Sequence, residues 1–338
     1  RIKIPNGSMS KPLSMSERLV FRVPSGIRRI LKRIIPHNLR RRLHDVDYHV
    51  AHLLSMYQHH LVTKDDPSVR EIMAAMMEVT RKWRDGKTVF CYPGLPGPGF
   101  VFYRVSLELG YTFTQNRESD FDVAMKWWVG TTDPHPGAFP VEADQIINAN
   151  ATDIRKSKVC AEFEATFGYP LALNPKTHEG PMVRKSETNA AHDGTVVQGP
   201  IGEPDPGFVY QRLVDCETEQ GVTEDIRVPI FGYQIPFVYL RYKRKKKRFG
   251  HAGQSVIREQ VVSPTDIFSD EEVEKILAFC ESMGLDCGEL DVLRDRPEDR
   301  IYVVDVNTTP TGPSFMLSST QTKWVCEQMA QAFEDMLT

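Results

Sequence analysis

Long apolar runs are missing from this 338-residue sequence, and none reaches the roughly 18 residues that a membrane-spanning helix requires. We also find no apolar stretch followed by the small-residue cleavage site of a signal peptide. The formal net charge is only −3, which as a whole gives no reason to expect nucleic-acid binding. Since 41% of the residues are hydrophobic, the sequence predicts a globular, cytoplasmic protein with a proper core.

Paired cysteines are missing as well. The six cysteines are scattered, no CxxC motif occurs, and none has a histidine partner at zinc-binding spacing. The pattern therefore predicts reduced thiols and excludes a disulfide framework or a structural zinc site.

Residues 1–85 are predicted to form an N-terminal extension. Its first residues, RIKIPNGSM, are interpreted as a vector remnant that precedes a native Met9. Within residues 16–44, five aliphatic side chains recur at helical spacing among arginines and lysines, which predicts a basic amphipathic helix: Ile27, Ile30, Leu31, Ile34 and Ile35. Such a helix either packs on the rest of the fold or lies on an anionic membrane surface, and the second alternative would make the protein membrane-peripheral.

Residues 86–150 predict a Rossmann-like unit. TVFCYPGLPGPGF (88–100) is a short strand followed by a turn, a helical segment comes next, and FDVAMKWW (121–128) is a second strand of the same sheet. Prolines interrupt the glycines of the turn, and no acid follows at ribose-binding distance, so we do not expect a nicotinamide site. A turn at the carboxyl end of such a sheet is still a favourable place for a substrate.

From residue 151 onward, helices and strands alternate. Thr152 or Asp153 is expected to cap a helix that Gly168 ends, and SETNAAHDGTVVQG (186–199) is expected to be flexible. The other predicted elements are β-like YPLALNP and PMVRKS, the strand FVYQRLV, a hairpin turning at Gly232, a helix capped by Ser269, two strands joined by RDRPEDR, and a closing helix from about Gln321.

Three polar side chains converge near the end of this pattern. Pairing of the two strands across the RDRPEDR turn would bring Asp291 close to Asp305, and Asn307 lies on the same face as Asp305 because it is two residues further along the strand. Oxygen ligands without thiolate or imidazole suit a hard cation, which favours Mg²⁺. Since Mg²⁺ keeps coordination positions for phosphates, we expect a nucleoside triphosphate beside it.

Two lysines are candidates for the phosphates. Lys185 ends an apolar strand just before the flexible stretch, and Lys156 lies on the preceding helix. Together with the two acids they form a plausible phosphate cradle.

The order of these features resembles the ATP-grasp superfamily over about residues 150–315. The features are a helix lysine, a strand lysine, a small-residue loop, a hinge strand, DIRV, and DVL followed 14 residues later by DVNTTP. The resemblance implies an ATP-grasp fold in residues 151–338, in which two α+β lobes (a lid lobe, about 151–210, and a metal-bearing lobe, about 211–338) clasp ATP. The fold class implied is α+β or α/β, with the Rossmann-like unit as the domain that precedes the ATP-grasp core.

The resemblance also implies a role for individual residues. Lys156 and Lys185 would bind the ATP phosphates, the loop Ser186–Thr195 would close over them, and Arg227 would face the phosphates and the acceptor. The remaining residues are His192 and Gly194 in the closing loop, the adenine hinge Gln211, Arg212, Leu213 and Val214, and the Mg²⁺ ligands Asp291, Asp305 and Asn307.

Two positions depart from the usual ligase pattern. Ligases of this superfamily usually have a glutamate at the position of Asp305, whereas its inositol phosphate kinases have an aspartate there, as this chain does. Ligases that resemble D-alanine–D-alanine ligase have an arginine where this chain has Glu289.

The run RYKRKKKRFG (241–250) contains seven basic residues. On a strand, Arg241, Lys243, Lys245 and Lys247 would share one face, so one subset could contact an anionic small-molecule substrate. Thr309 and Ser314, just after the metal motif, are further candidates for substrate contact.

Two chemistries and one non-catalytic function remain open. The first is an ADP-forming ligase that joins a carboxylate to an amine through an acyl phosphate. The second is a kinase that phosphorylates a hydroxyl of an anionic polyol or sugar, and the third is an ATP-binding module without turnover. In each case the expected partners are ATP and Mg²⁺, no nucleic acid is expected, and a homodimer is left open.

Overall fold

The computed structural model describes residues 86–97, 99–249 and 255–338. The predicted N-terminal extension and its basic amphipathic helix lie outside these residues. No helix in the described part of the chain is long and apolar enough to cross a membrane.

The described residues form four α-helices and twelve β-strands, with 3₁₀ turns at Lys245–Lys247 and Pro264–Asp266. In chain order the elements are β1 (Thr88–Pro93), α1 (Val101–Leu109), β2 (Thr112–Thr114), β3 (Val123–Trp127), β4 (Ile146–Ile147), α2 (Lys156–Phe167), β5 (Gly180–Ser186), β6 (Thr195–Gly199), β7 (Phe208–Arg212), β8 (Val222–Phe231), β9 (Val238–Arg244), β10 (Val256–Val262), α3 (Asp270–Ser282), β11 (Cys287–Asp295), β12 (Arg300–Asn307) and α4 (Ser319–Met336).

The first sheet is parallel and has the order β2-β1-β3-β4. The rings of Phe102 on α1 and Phe333 on α4 meet edge to face at 4.9 Å, and both belong to the core that also buries Trp127. Strand, turn and helix over residues 88–109, and the strand within residues 121–128, confirm the predicted elements of this region.

The turn after β1 is joined to the segment that follows β12. The Val101 amide donates to the carbonyl oxygen of Pro310 at 2.8 Å, and the Gly312 amide donates to that of Gly99 at 3.0 Å. This backbone pairing brings the carboxyl end of the parallel sheet next to the end of β12.

The second sheet is antiparallel and has five strands in the order β10-β9-β8-β11-β12. Its apolar face includes Val228, Leu290 and Val306, which are register partners and share a core with Phe163 of α2 and Phe279 of α3. The opposite face is rich in charged residues. The hairpin β8–β9 and the pair β11–β12 confirm the predicted strand pairs.

A third, smaller sheet has the order β6-β5-β7. It corrects two expectations. Part of the stretch expected to be flexible is strand β6, and YPLALNP (169–175) forms only an isolated bridge, Ala172 with Gln211. Pro170 and Pro175 lack the amide hydrogens that a paired strand requires.

Two helix starts test the capping predictions. Ser269 caps α3 in a capping box with Glu272, as predicted. The prediction for α2 was wrong, because the helix begins at Lys156 and Arg155 is its cap residue, and Asp153 accepts the amide of Arg155 itself. Gly168 ends α2 with a φ of 82°, as expected for a left-handed C-cap.

The parallel sheet falls within residues 86–150, and the other two sheets follow it. The predicted boundary at about residue 210 falls within β7. The domain limits therefore stay predictions.

Candidate functional site

Asp291 and Asp305 are directly opposite each other on the antiparallel strands β11 and β12. This pairing agrees with the one that the sequence predicts. A β-bulge, which the sequence does not predict, follows immediately after Asp291. Their side chains are 25% and 27% exposed, so both carboxylates can be reached from solvent. Asn307, two residues beyond Asp305, accepts the Thr309 amide with its Oδ1 at 3.0 Å. The three oxygen-bearing side chains thus belong to one face of the sheet.

Cationic side chains surround the two carboxylates. The Nζ of buried Lys156 is 3.8 Å from Oδ1 of Asp305, and Arg227, the partner of Asp291 on β8, contacts the Asp291 carboxylate. Burial lowers the pKa of Lys185 on β5, an effect that nearby Asp305 opposes. The structure therefore brings together the two predicted phosphate lysines, Arg227 and the two acids.

The like charges of the acids affect their protonation. Withdrawal from water raises the pKa of Asp305, and the neighbouring Asp291 raises it further, whereas Lys156, Lys185 and Arg227 lower it. A cation between the carboxylates would relieve this repulsion.

The donor set fits a hard cation. Two carboxylates and one amide oxygen are ligands of the kind that Mg²⁺ prefers, and their partial exposure leaves room for phosphate oxygens and waters. Among the described residues, no three His, Cys, Asp or Glu side chains are grouped closely enough to bind a metal. The predicted site therefore depends on the amide of Asn307 as the third ligand.

The loop between β5 and β6 is folded against neighbouring elements. Lys156 donates to the carbonyl oxygen of Thr188 at 3.1 Å, and the Asn189 amide donates to Oγ1 of Thr131 at 2.8 Å. His192 has a positive φ of 51°, in the left-handed region. A Cβ on Gly194 would lie 2.9 Å from the ring of Phe249, so a side chain at this position would require the Phe249 ring to shift.

The sequence analysis missed two residues that hold this loop. Glu187 accepts the Ser157 amide at the start of α2 at 3.0 Å, and Thr131 comes from the loop after β3. Ser186 is fixed at the other end, where its amide donates to Asp193 Oδ1 at 3.3 Å. The contacts of Glu187 and Thr131 both join residues that are far apart in sequence, so no local sequence signal could have identified them.

Most side chains of the predicted adenine hinge, residues 211–214, contact other residues of the fold. Gln211 is buried and donates to Sγ of Cys160 at 3.3 Å, and Val214 belongs to the core. Arg212 pairs with Asp295 at 3.6 Å and contacts another acid of the β11–β12 turn. Only Leu213, half-buried, and the backbone of this segment are left to face a base. Burial also raises the pKa of Cys160 to about 11, so it stays a thiol.

The basic run differs from the prediction. Strand β9 ends at Arg244 and Lys245–Lys247 is a 3₁₀ turn, so the expected alternation stops before Lys245. Arg241 and Lys243 do share a face, but both are buried. Arg241 pairs with Glu259 at 2.6 Å, and Lys243 contacts Asp225. These two cations are therefore neutralised within the sheet, because opposite charges on neighbouring strands pair where water is excluded.

Thr309 and Ser314 lie in the segment after β12. Thr309 is buried, and Ser314 accepts the Met316 amide with its Oγ at 3.2 Å. Two surface cavities, of about 500 and 790 Å³, are lined by other parts of the chain.

A scan against protein-family models gives no match, and neither does a search of curated proteins. Comparison with solved structures finds D-alanine–D-alanine ligase from Bacillus anthracis at 14% identity and a TM-score of 0.43, covering 75% of this chain and 96% of that one. A RimK domain protein ATP-grasp from Sphaerobacter thermophilus has 11% identity and a TM-score of 0.42, covering 74% and 98%.

The ATP-grasp ligase PsnB, complexed with a minimal precursor, has 14% identity and a TM-score of 0.38, with 55% of this chain covered. The chain spans 64% of the length of PsnB.

Proposed function

We propose that this chain is an ATP-grasp enzyme, and specifically an ADP-forming ligase that joins a carboxylate to an amine. The observation that supports this proposal most directly is the facing pair Asp291 and Asp305, surrounded by Lys156, Lys185 and Arg227. Paired carboxylates are suited to bind a divalent metal ion, and the basic side chains beside them are suited to bind the phosphates that accompany that ion.

In this proposal, Asp291, Asp305 and Asn307 hold Mg²⁺, which supplies charge neutralisation on the phosphates. Lys156 and Lys185 bind phosphate oxygens directly. Their position on the inner side of the site keeps them partly withdrawn from water, where each contact with an anion is stronger.

The nucleotide would lie between the three-stranded and five-stranded sheets. Adenine would contact Leu213 and the backbone of Arg212 and Val214, with Gln211 supporting this segment from the core. The loop Ser186–Thr195, including His192 and Gly194, would cover the phosphates, as lids do when they exclude water from a reacting phosphate.

The reaction has two steps. A substrate carboxylate oxygen attacks the γ-phosphorus and the bond to the leaving ADP oxygen breaks, which gives an acyl phosphate. The amine nitrogen then attacks the acyl carbon, phosphate leaves with the bonding electrons, and the amine loses a proton to form the amide. Arg227 would stabilise the negative charge that develops on the transferred phosphoryl group.

The substrate contacts are proposed at Ser314 and Arg227, beside the metal motif, whereas Thr309 is buried and is not expected to reach the substrate. Arg241 and Lys243 are not expected to bind substrate, because each is already paired. An anionic small molecule remains the proposed substrate class, since a carboxylate is required by the chemistry.

A kinase is the second candidate. The observation that favours it is the buried Glu289, which lies where related ligases have an arginine and which pairs with Arg227 at 3.1 Å. In that case a hydroxyl oxygen accepts the γ-phosphoryl group and loses its proton, and the product keeps the phosphate.

One experiment separates the candidates. The protein is incubated with ATP, Mg²⁺ and pools of carboxylates, amines and polyols, and both ADP and product mass are measured. Condensed product with free phosphate supports the ligase, and a product heavier by one phosphate supports the kinase. ATP binding that Asp305→Ala abolishes, without turnover on any pool, would instead indicate a non-catalytic ATP-binding module.

A further inference from the structure

Glu289 is a buried acid that the proposed mechanism leaves without a role. It precedes Asp291 by two residues on β11, so both side chains belong to the same face of the sheet. Glu289 is 4% exposed, whereas Asp291 is 25% exposed. The two acids are therefore neighbours along one face of β11, and Glu289 is the more buried of the two.

Arg227 connects these two acids. Its Nη1 is 3.1 Å from Oε1 of Glu289, and the same nitrogen contacts the Asp291 carboxylate. The guanidinium is thus held between a carboxylate that faces the protein interior and one that faces the open site.

Few other groups can orient Arg227. Its Nε is buried and has no hydrogen-bond partner in the described residues, and the same holds for the hydroxyl of Tyr239, its direct partner on β9. Arg241, the next cation on this face, is already bound to Glu259 at 2.6 Å. Among the described residues, the fully buried carboxylate that holds the Arg227 guanidinium is that of Glu289.

We propose that Glu289 is a positioning residue for Arg227: its buried carboxylate holds the guanidinium so that Arg227 reaches the reacting phosphate beside Asp291. This inference rests on the proposed function. Glu289 does not touch the substrate, and its effect passes through Arg227. A preorganised cation contributes most where charge develops in the transition state, so the consequence falls on turnover more than on nucleotide binding.

The test compares Glu289→Gln with the wild-type chain, using Mg-ATP as the ligand in calorimetry and ADP formation on the active substrate pool as the rate. Glutamine keeps the shape and one hydrogen bond but removes the charge. We expect kcat to fall at least tenfold while the Kd for Mg-ATP changes less than threefold. Glu289→Asp, which keeps the charge, should recover part of the lost kcat.

Asp225→Asn is the matched control, because it also breaks a half-buried ion pair on the same face of β8, two residues before Arg227, but the cation of that pair is Lys243. We expect it to reduce thermal stability and leave kcat unchanged. A double-mutant cycle then separates positioning from general damage: in an Arg227→Lys background, Glu289→Gln should change kcat less than twofold.

Three results would overturn the inference. The first is a kcat of Glu289→Gln within twofold of wild type, and the second is an equal loss of kcat in Asp225→Asn. The third is a Glu289→Gln substitution that lowers kcat by the same factor in the Arg227→Lys background as in the wild type. If Glu289→Gln does not fold, Glu289→Asp is measured in both backgrounds by the same criteria. Absence of ADP formation by the wild-type chain would overturn the proposed function itself, which distinguishes the two failures.

Discussion

The ammonium group of Lys156 lies 3.8 Å from a carboxylate oxygen of Asp305 and donates to the carbonyl oxygen of Thr188 at 3.1 Å. One buried lysine in the first turn of α2 therefore contacts both the strand that carries the paired acids and the loop between β5 and β6. Because the same ammonium serves both contacts, the position of the loop is coupled to the charge at the site.

Replacing Lys156 with methionine should loosen this loop. Methionine has a similar length but cannot donate to Thr188, so we expect faster hydrogen exchange of the amides at 187–194, by at least tenfold. Native-state hydrogen exchange with mass spectrometry measures this rate. Lys158→Met, on the same helix but at a more exposed side chain paired with Glu162, should leave the exchange unchanged. Equal exchange in the two variants would contradict the proposed contact.

Lys185→Ala should weaken nucleotide binding. The substitution leaves phosphate charge without its partner in a partly desolvated site, and hydrogen bonds to charged groups contribute roughly 1.5–3 kcal/mol, which corresponds to a rise of about 10- to 150-fold in the Kd for Mg-ATP. Isothermal titration calorimetry measures the Kd. Lys176→Ala, at an exposed lysine before β5, serves as the control. An unchanged Kd in Lys185→Ala would show that this lysine does not bind phosphate.

Asp305→Asn should remove the stabilisation that Mg-ATP gives to the folded chain. At a ligand concentration of 100 times Kd, binding stabilises a protein by about 2.7 kcal/mol, and the melting temperature rises accordingly. We expect this rise in the wild type and little of it in Asp305→Asn, as measured by differential scanning calorimetry with and without Mg-ATP. Asp299→Asn, in the exposed turn between β11 and β12, should keep the full rise. The same rise in both variants would exclude Asp305 as a metal ligand.

Lys126 and Asp133 form a buried ion pair between β3 and the loop that follows it. Burial raises the pKa of Asp133, but hydrogen bonds from Lys126 and the His135 amide outweigh it, so the pKa is lowered. Removing one partner leaves a buried charge unpaired, so Lys126→Met should cost roughly 3–5 kcal/mol of unfolding free energy. Urea unfolding at pH 7 measures this cost, and the double variant Lys126→Met/Asp133→Asn should recover much of it.

The same pair predicts a pH dependence. The pKa of Asp133 in the folded protein is below its unfolded value of about 3.9. The ion pair therefore contributes to the free energy of unfolding above about pH 4, and this contribution is lost as the pH falls through the folded pKa. The difference in unfolding free energy between wild type and Asp133→Asn should therefore shrink below pH 4. A constant difference down to low pH would contradict the pairing.

The facing of Asp291 and Asp305 could be predicted because the two strands are adjacent in sequence and a short polar turn joins them. Alternation then fixes which side chains share a face. The β-bulge after Asp291 could not be predicted, since it leaves no signature in the residue types.

Strand β6 was missed for a different reason. Its sequence, TVVQG, has no apolar alternation that would predict a strand, and in the fold Val196 is 47% exposed and none of the five residues is fully buried. The pairing of Arg241 with Glu259, and that of Arg227 with Glu289, also lay beyond the sequence. Both pairings depend on which strands become neighbours in the sheet. A run of basic residues in the sequence does not show whether those residues face acids or water in the folded protein.

The backbone bonds between Val101 and Pro310, and between Gly99 and Gly312, tie the parallel sheet to the end of β12. Asn307 lies only three residues before Pro310, so a displacement of the parallel sheet would pull directly on the proposed metal ligands. We therefore expect the parallel sheet and the end of β12 to move together as one rigid body. Entry and exit of the proposed nucleotide would then depend on movement of the three-stranded sheet of β5, β6 and β7.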